Sequence, residues 1–399
     1  MSIMEDIVII SAKRTPMGSF QGAFSSLSAT DLGAVAIRTV LDETSFDKSS
    51  VDEVLMGCVL PAGLGQAPAR QAALKAGLAL STGCTTINKV CGSGMKTVML
   101  ADDLLKTGSI KTAIAGGMES MTNAPYLLPK VRDGLRLGHG KVVDHMFFDG
   151  LENAADNALM GTFAERCADK YSFSRDEQDA FAIESVHRSV NAVNSKQFEN
   201  EITPVTVKSR AGDNVVTDDE QPFKCNTDKI PKLRPAFRSE NGTVTAANSS
   251  SISDGAAALL LMTVSEAKKR NLTPLAKIVA HASHAQAPED FTTAPVDAIR
   301  NVLKKAQWNI DDVDLFEINE AFAVVTMAAI RELELDAQKV NVNGGACALG
   351  HPIGASGARI IVTLLHALKA RGLKKGLASL CIGGGEATAV ALEVYPNVA

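Results

Sequence analysis

Ala36-Ile37-Arg38-Thr39-Val40-Leu41 returns 262 residues later, from position 36 to position 298, as Ala298-Ile299-Arg300-Asn301-Val302-Leu303. The same offset carries Val51-Asp52 onto Val313-Asp314 without a gap. In both copies a helical pattern leads through a polar stretch into an apolar strand pattern, Val54-Leu55-Met56 in one and Leu315-Phe316-Glu317-Ile318 in the other. A single hexapeptide can recur by chance, but a matching downstream pattern at the same offset reads as duplication. Each copy opens on a further strand pattern, Ile7 to Ile10 and Ala276 to Ala280, then alternates strand and helix signals. That alternation predicts an α/β fold whose largely parallel sheets are sandwiched by helices.

Between the copies, residues 122–249 become rich in proline, glycine and charge, as in Lys208-Ser209-Arg210-Ala211-Gly212-Asp213-Asn214. One helix is legible there, Arg175 to Val193, opened by Ser174 and Glu177 as a capping box. The expected division is a first half of residues 1–121 plus 250–273, an inserted loop domain of residues 122–249, and a second half of residues 274–399. Long insertions on a rigid scaffold commonly carry binding specificity.

At 399 residues the chain exceeds the size at which a single core stops growing. Its 40 basic against 45 acidic residues give a net charge of −5, with no basic footprint for nucleic acid. Seven cysteines without a CxxC pair predict reduced thiols rather than a zinc site or disulfide framework. His281 and His284 have no third ligand near them in sequence, so no metal is expected. The acidic Met1 to Asp6, the short run Ile7 to Ile10 and the C-terminal Asn397-Val398-Ala399 resemble no export or peroxisomal signal. No apolar run approaches the roughly 20 residues that span a bilayer. The expected compartment is the cytoplasm.

Three glycine-rich bends carry the chemistry, each read as a strand-to-helix turn. Ile87-Asn88-Lys89-Val90-Cys91-Gly92-Ser93-Gly94 presents Cys91, Gly350-His351-Pro352-Ile353-Gly354 presents His351, and Cys381-Ile382-Gly383-Gly384-Gly385 presents a second thiol. A cysteine at a helix N-terminus sits in positive potential that favours the thiolate. A neighbouring imidazole can take a thiol proton. Asn319, in Asn319-Glu320-Ala321-Phe322, either orients a water or carbonyl or serves as an N-cap. Gly92-Ser93-Gly94-Met95-Lys96-Thr97 lacks the Gly-Lys of a P-loop, and Gly63-Leu64-Gly65 is not a dinucleotide fingerprint. Two thiols and one imidazole point to acyl transfer through a covalent thioester.

Taken in order, these four motifs resemble those of the thiolase family over nearly the whole chain. The resemblance implies two βαβαβαββ halves in a five-layer αβαβα arrangement with a loop domain inserted in the first. It implies an acyltransferase of the acetyl-CoA C-acetyltransferase or 3-ketoacyl-CoA thiolase type, placed in lipid metabolism, with coenzyme A thioesters as substrates and no further cofactor. Cys91 would carry the acyl group and His351 would activate it. Cys381 would exchange the second proton. His351 with a water on Asn319 would form one oxyanion hole, and the N–H groups of Cys91 and Gly383 the other. Coenzyme A would pass Met160, Phe237 and Ser250, with Ala321 and Phe322 in the binding wall.

Assembly into a dimer or tetramer is also implied by the resemblance. Leu159-Met160-Gly161, Asn248-Ser249-Ser250-Ser251, Phe291-Thr292-Thr293-Ala294-Pro295 and Ala387 depart from the short-chain pattern, while Gly65-Gln66-Ala67-Pro68-Ala69-Arg70-Gln71 keeps it. The expectation leans to acetoacetyl-CoA as substrate. The alternatives are a thiolase for longer 3-ketoacyl chains, a decarboxylating ketoacyl synthase, and a non-catalytic thiolase-like assembly subunit. Ketoacyl synthases normally pair their cysteine with two histidines, so Cys381 speaks against that class.

Overall fold

In strand β1 (Ile7–Arg14) the pleat sends Ile7 and Ile9 into one hydrophobic core and Val8 and Ile10 into another. A strand apolar on both faces must be covered on both. The computed structural model, which describes residues 5–210 and 212–395, shows how. Residues before Glu5, the C-terminal Asn397-Val398-Ala399, and Ala211 of the charged stretch lie outside the described residues.

The first copy continues through α1 (Ala29–Glu43), β2 (Glu53–Gly57), α2 (Pro68–Ala76), β3 (Gly83–Ile87), α3 (Ser93–Lys106) and β4 (Thr112–Ser120). The intervening region contains α4 (Met160–Tyr171) and α5 (Arg175–Asn194), the latter starting with the expected Ser174–Glu177 capping box. The chain then returns through β5 (Ser253–Thr263) and the short α6 (Val264–Lys269). The second copy follows as β6 (Ala276–Ala285), α7 (Ala294–Ala306), β7 (Leu315–Ile318), α8 (Ala323–Glu332), α9 (Ala346–Leu349), α10 (Ile353–Ala370), β8 (Lys375–Ile382) and β9 (Glu386–Val394).

The strands lie in the order β7-β8-β9-β6-β1-β5-β4-β2-β3. The two copies meet where β1 pairs antiparallel with β6, Ile7 opposite Ile278 and Ile9 opposite Ala276. This continuous sheet wraps around α3 and α10, which share a core with one face of both halves. Helices α1 and α2 cover the outer face of the first half, and α7 covers that of the second. The result is the expected five layers. The sheet is mixed rather than largely parallel: β2 runs parallel to β3 and β4, and β7 to β8, whereas the pairings of β1, β5, β6 and β9 are antiparallel. The last strand of each half folds back beside its predecessor, a step that needs no helical crossover.

Duplication is visible in side-chain detail. Asp52 accepts the N–H groups of Lys111 (2.8 Å) and Thr112 (3.1 Å) at the start of β4. Asp314 accepts those of Lys374 (2.9 Å) and Lys375 (2.8 Å) at the start of β8. The second copy departs from the βαβαβαββ expectation at its third strand, which shrinks to a single bridge between Phe316 and Val340. There the Asn341 side chain substitutes for a strand, accepting from Ile318 N (2.9 Å) and donating to Ile318 O (2.8 Å).

Helices α3 and α10 cross at backbone contact. A Cβ on Gly94 would lie 2.8 Å from Ala358 N, and one on Gly357 would overlap Met95 N. Helix α10 is long and apolar enough to cross a membrane by composition, but its window is 89% buried inside the fold, which accounts for its apolarity. Replacing Gly357 by alanine should force the helices apart, at a cost of about 1–3 kcal/mol or more for overpacking. A lowered urea midpoint is expected, and an unchanged midpoint would show that the crossing tolerates a methyl group.

Candidate active site

Cys91 and His351 occupy equivalent places in the two copies, each two residues ahead of the first helical residue of α3 or α10. The Cys91 turn is shaped by local hydrogen bonds. Asn88 Oδ1 accepts from Val90 N (3.0 Å), Ser93 Oγ accepts from Lys89 N (2.8 Å), and that hydroxyl donates to Val90 O (2.7 Å). These hold Val90 at φ +45°, a left-handed conformation costly for a β-branched residue. A Cβ on Gly92 would overlap Ile382 Cδ1, so any side chain there would have to displace that isoleucine. An ion pair from Lys89 to Glu386 ties this turn to the start of β9.

Cys381 is the penultimate residue of β8 and is fully buried. The glycines after it form a β-hairpin between β8 and β9, with Gly384 at φ +92° and Gly385 at φ +90°. The expectation of a strand-to-helix bend is therefore corrected here. It is also corrected at His351, which follows the short α9.

The three bends open on one apolar cavity of about 350 Å³, lined by Cys91, His351, Cys381 and Gly383 among others. Met160, Phe237, Ser250, Ala321 and Phe322 line the same cavity, so nine of the ten expected residues share a wall. Segment 248–251 reaches it by pairing with the turn after β7: Ser250 N donates to Ala321 O (2.9 Å) and Ala323 N donates to Asn248 O (2.8 Å). Phe237 lies against the backbone of Gly161, where a Cβ would overlap its ring, and meets Phe322 edge-on at 6.0 Å.

Asn319 is the tenth residue. It is buried and is not part of the cavity lining, its Oδ1 accepting from Arg359 Nη2 (3.4 Å) while its Nδ2 has no partner among the described residues. Phe322, not Asn319, is the N-cap of α8, so the capping reading fails.

The thiol of Cys91 is pushed up to about 11, chiefly by desolvation, although its own N–H and that of Gly383 both hydrogen-bond to the sulfur and pull the other way. The expected stabilised thiolate is therefore corrected. Cys91 lies outside the first turn of α3, and apolar surroundings outweigh two N–H donors. Burial and the nearby Cys91 hold the Cys381 thiol well above its ordinary value.

His351 is pushed down to about 3 by burial and by the Arg359 charge. Its Nδ1 lies 2.6 Å from Ser356 Oγ, and that hydroxyl donates onward to Pro352 O (2.9 Å). Ser356 can then only accept, which places the ring proton on Nδ1 and the free lone pair on Nε2. Nε2 has no partner among the described residues. The site is thus a neutral imidazole between two neutral thiols.

Sequence reading missed Ser356, the strained Val90 and the buried Glu119, and it did not assign Phe291 or Ile353 to the cavity wall. Ser356 was within reach as a hydroxyl five residues after the histidine on a helix start. The metal reading also shifts. The fold brings Asp102 and Asp103 to His281, each 3.2 Å from Nε2, but Lys106 already pairs with Asp102 at 2.7 Å. This is an ion-pair cluster near the C-terminal end of α3, and none of its members lines the cavity.

Family models for the thiolase N-terminal domain and the thiolase C-terminal domain match residues 7–265 and 272–394. The chain is 50% identical over 391 residues to an acetyl-CoA acetyltransferase of Pseudomonas aeruginosa, covering 98% of this chain and 99% of that one. It is also 50% identical to the mitochondrial acetyl-CoA acetyltransferase of Homo sapiens, over 98% of this chain and 91% of the relative. Among solved structures, the Bacillus anthracis acetyl-CoA acetyltransferase superposes with a TM-score of 0.96 at 39% identity, covering 99% and 100% of the two chains. The Acat5 thiolase of Ascaris suum in complex with coenzyme A does so with a TM-score of 0.93 at 41% identity, covering 98% and 100%. The chain belongs to the thiolase family and is an acyltransferase.

Proposed function

We propose that the chain condenses two acetyl-CoA into acetoacetyl-CoA and coenzyme A, and runs the reverse thiolysis, through an acetyl-Cys91 intermediate. The observation that carries this reading is the convergence of Cys91, Cys381 and a neutral, Nδ1-protonated His351 on one apolar cavity. The relatives' names and the coenzyme A complex of the Ascaris suum thiolase support acetyl-CoA as substrate.

In this mechanism His351 Nε2 takes the Cys91 proton as the sulfur attacks the thioester carbonyl. Burial raises the Cys91 thiol and lowers the His351 imidazole, so both favour their neutral forms and deprotonation is coupled to attack. The N–H groups of Cys91 and Gly383, which converge at that sulfur, receive the oxyanion. Coenzyme A departs with the Cys381 proton. Cys381 then regains a proton from the methyl group of the second acetyl-CoA, whose enolate oxygen is met by His351 and by a water on Asn319. The carbanion attacks acetyl-Cys91, and the released sulfur recovers its proton from His351, so both protons balance. The step is redox-neutral and its acids and bases are side chains, which supports the reading that no metal or redox cofactor is needed.

The Leu159-Met160-Gly161 and Phe291 departures line the cavity and bear on chain length. Cys91→Ser should abolish both acetoacetyl-CoA turnover and labelling by radiolabelled acetyl-CoA; labelling that persists would sink the Cys91 assignment. With the unmodified enzyme, kcat/KM should be highest for acetoacetyl-CoA. A higher value for a six- or eight-carbon 3-ketoacyl-CoA, the chain lengths to be compared (roughly one and two ethylene units longer), would favour the longer-chain reading.

The chain also reads as a homo-oligomer, a dimer or a tetramer. Tyr126, Leu128, Val131, Leu135, Leu137 and Val142 all stand exposed along one excursion, Leu137 at 98%. Its base is a small hairpin pairing Tyr126-Leu127 with Val143-Asp144. A contiguous exposed apolar patch marks an interaction surface, and symmetric self-association is the common solution. Seven unpaired cysteines support a reducing compartment, the cytoplasm. Leu137→Asp should lower the mass seen by light scattering without loss of acetyl labelling. If the unaltered chain already runs as a monomer, the assembly reading fails.

A further inference from the structure

Glu119 stands one residue from the end of β4, with no exposed surface. Among the described residues no basic side chain faces it, and its partners are backbone donors and a thiol. Oε2 accepts from Val59 N (3.0 Å) and Gly354 N (2.8 Å). Oε1 accepts from Leu60 N (3.2 Å) and lies 3.7 Å from Cys58 Sγ. A Cβ on Gly354 would lie 2.5 Å from Oε2, so the glycine leaves the carboxylate its place.

Two routes leave this carboxylate, one to the bend that carries Cys91 and one to the helix start that follows His351. One runs through the Val59–Leu60 peptide, whose Leu60 N–H donates to Oε1 and whose Val59 O accepts from Asn88 Nδ2 (3.4 Å), while Asn88 Oδ1 holds Val90 N beside Cys91. The other runs through Gly354 in the first turn of α10, whose start is the His351-Pro352 bend. A carboxyl buried without a counter-ion is expensive and marks a functional demand.

We propose that Glu119 is a positioning residue that clamps the Cys91 bend to the His351 bend, so that thiol and imidazole stay in register as charge develops. The inference rests on the roles of Cys91 and His351 given above. Glutamine cannot replace it, because both oxygens accept and an amide would aim its NH2 group at backbone N–H donors on one side. The carboxylate also opposes ionisation of Cys91 by its like charge. Burial pushes the Glu119 carboxyl up to about 7, with the three N–H groups pulling the other way. Protonation turns one acceptor into a donor facing an N–H, so the clamp is complete above that pH and loosens below it. The titratable groups facing it are Cys58 and Cys91, both raised by burial and by Glu119 and neither titrating near neutrality.

The test is Glu119→Gln in the full-length enzyme, read by kcat and KM across the neutral range and by the pH dependence of Cys91 alkylation with iodoacetamide. Loss of register should lower kcat on the order of 10- to 100-fold while KM for acetyl-CoA holds. The rise of kcat across about pH 7 should vanish. Alkylation should shift to lower pH, opposite in sense to the lost turnover, because the neighbouring charge is gone. A kcat and pH profile like those of the unaltered enzyme would overturn the proposal. So would a variant that is merely less heat-stable, with the alkylation midpoint unmoved. Should the glutamine variant not fold, Glu119→Asp keeps the charge but shortens the reach. It should lose rate while keeping both the pH rise and the alkylation midpoint, and undiminished rate would count against the clamp. Acetyl labelling of the unaltered enzyme, lost in Cys91→Ser, tests the underlying roles separately.

Discussion

The backbone contact between α3 and α10 is the constraint on which the rest depends. Two helices from different halves of a duplicated chain lie side by side in the central layer, and Gly94 and Gly357 remove the side chains that would hold them apart. Each helix starts two residues after a reactive side chain. Bringing the axes together therefore brings the thiol and the imidazole together. Gly57 and Gly117 extend the same logic, since a Cβ on either would meet Gly354 O. Dense packing makes such a contact nearly all-or-none.

Around that contact the site is dry, and dryness sets its chemistry. Desolvation raises both thiols and lowers the imidazole, leaving three neutral groups where charge will later be needed. The N–H pair at the Cys91 sulfur is already in place for charge created there, whereas His351 Nε2 can donate only after it has taken a proton. Ser356 matters for the same reason. By fixing the tautomer it ensures that the lone pair, not the proton, is free on Nε2.

The inserted region closes the cavity and is itself held by buried charge. Arg14 at the end of β1 makes a two-pronged contact to Asp219 (2.7 and 2.8 Å) and pairs with Glu201, all three side chains inaccessible. Its guanidinium also lies over the Phe198 ring at 4.9 Å. Removing one member would leave an uncompensated buried charge, which is why such a clamp fixes geometry firmly even when its net contribution to stability is small. The aromatic wall of Phe163, Phe237, Phe291 and Phe322 is assembled from the insert and the second half together.

The duplication, the three glycine bends and the candidate residues that line one cavity were legible in the sequence, because repeats, glycine positions and nucleophile types are local properties. Helix α5 was legible through its capping box, a short-range hydrogen-bond pattern. The mixed sheet, the hairpin after Cys381 and the reduced third strand of the second half were not. Strand pairing joins residues hundreds of positions apart, and Asn341 stands in for a strand through its side chain. Nor could the sequence give the protonation states. It suggested a thiolate from the nearby helix start, whereas the apolar surroundings that remote segments give the half-buried Cys91 decided for the thiol. Sequence alone marked the candidate reacting groups, since that is chemistry written residue by residue. Only the tertiary structure decided how they are charged, oriented and clamped, because dielectric, tautomer and the Glu119 contacts depend on neighbours that the chain brings together only by folding.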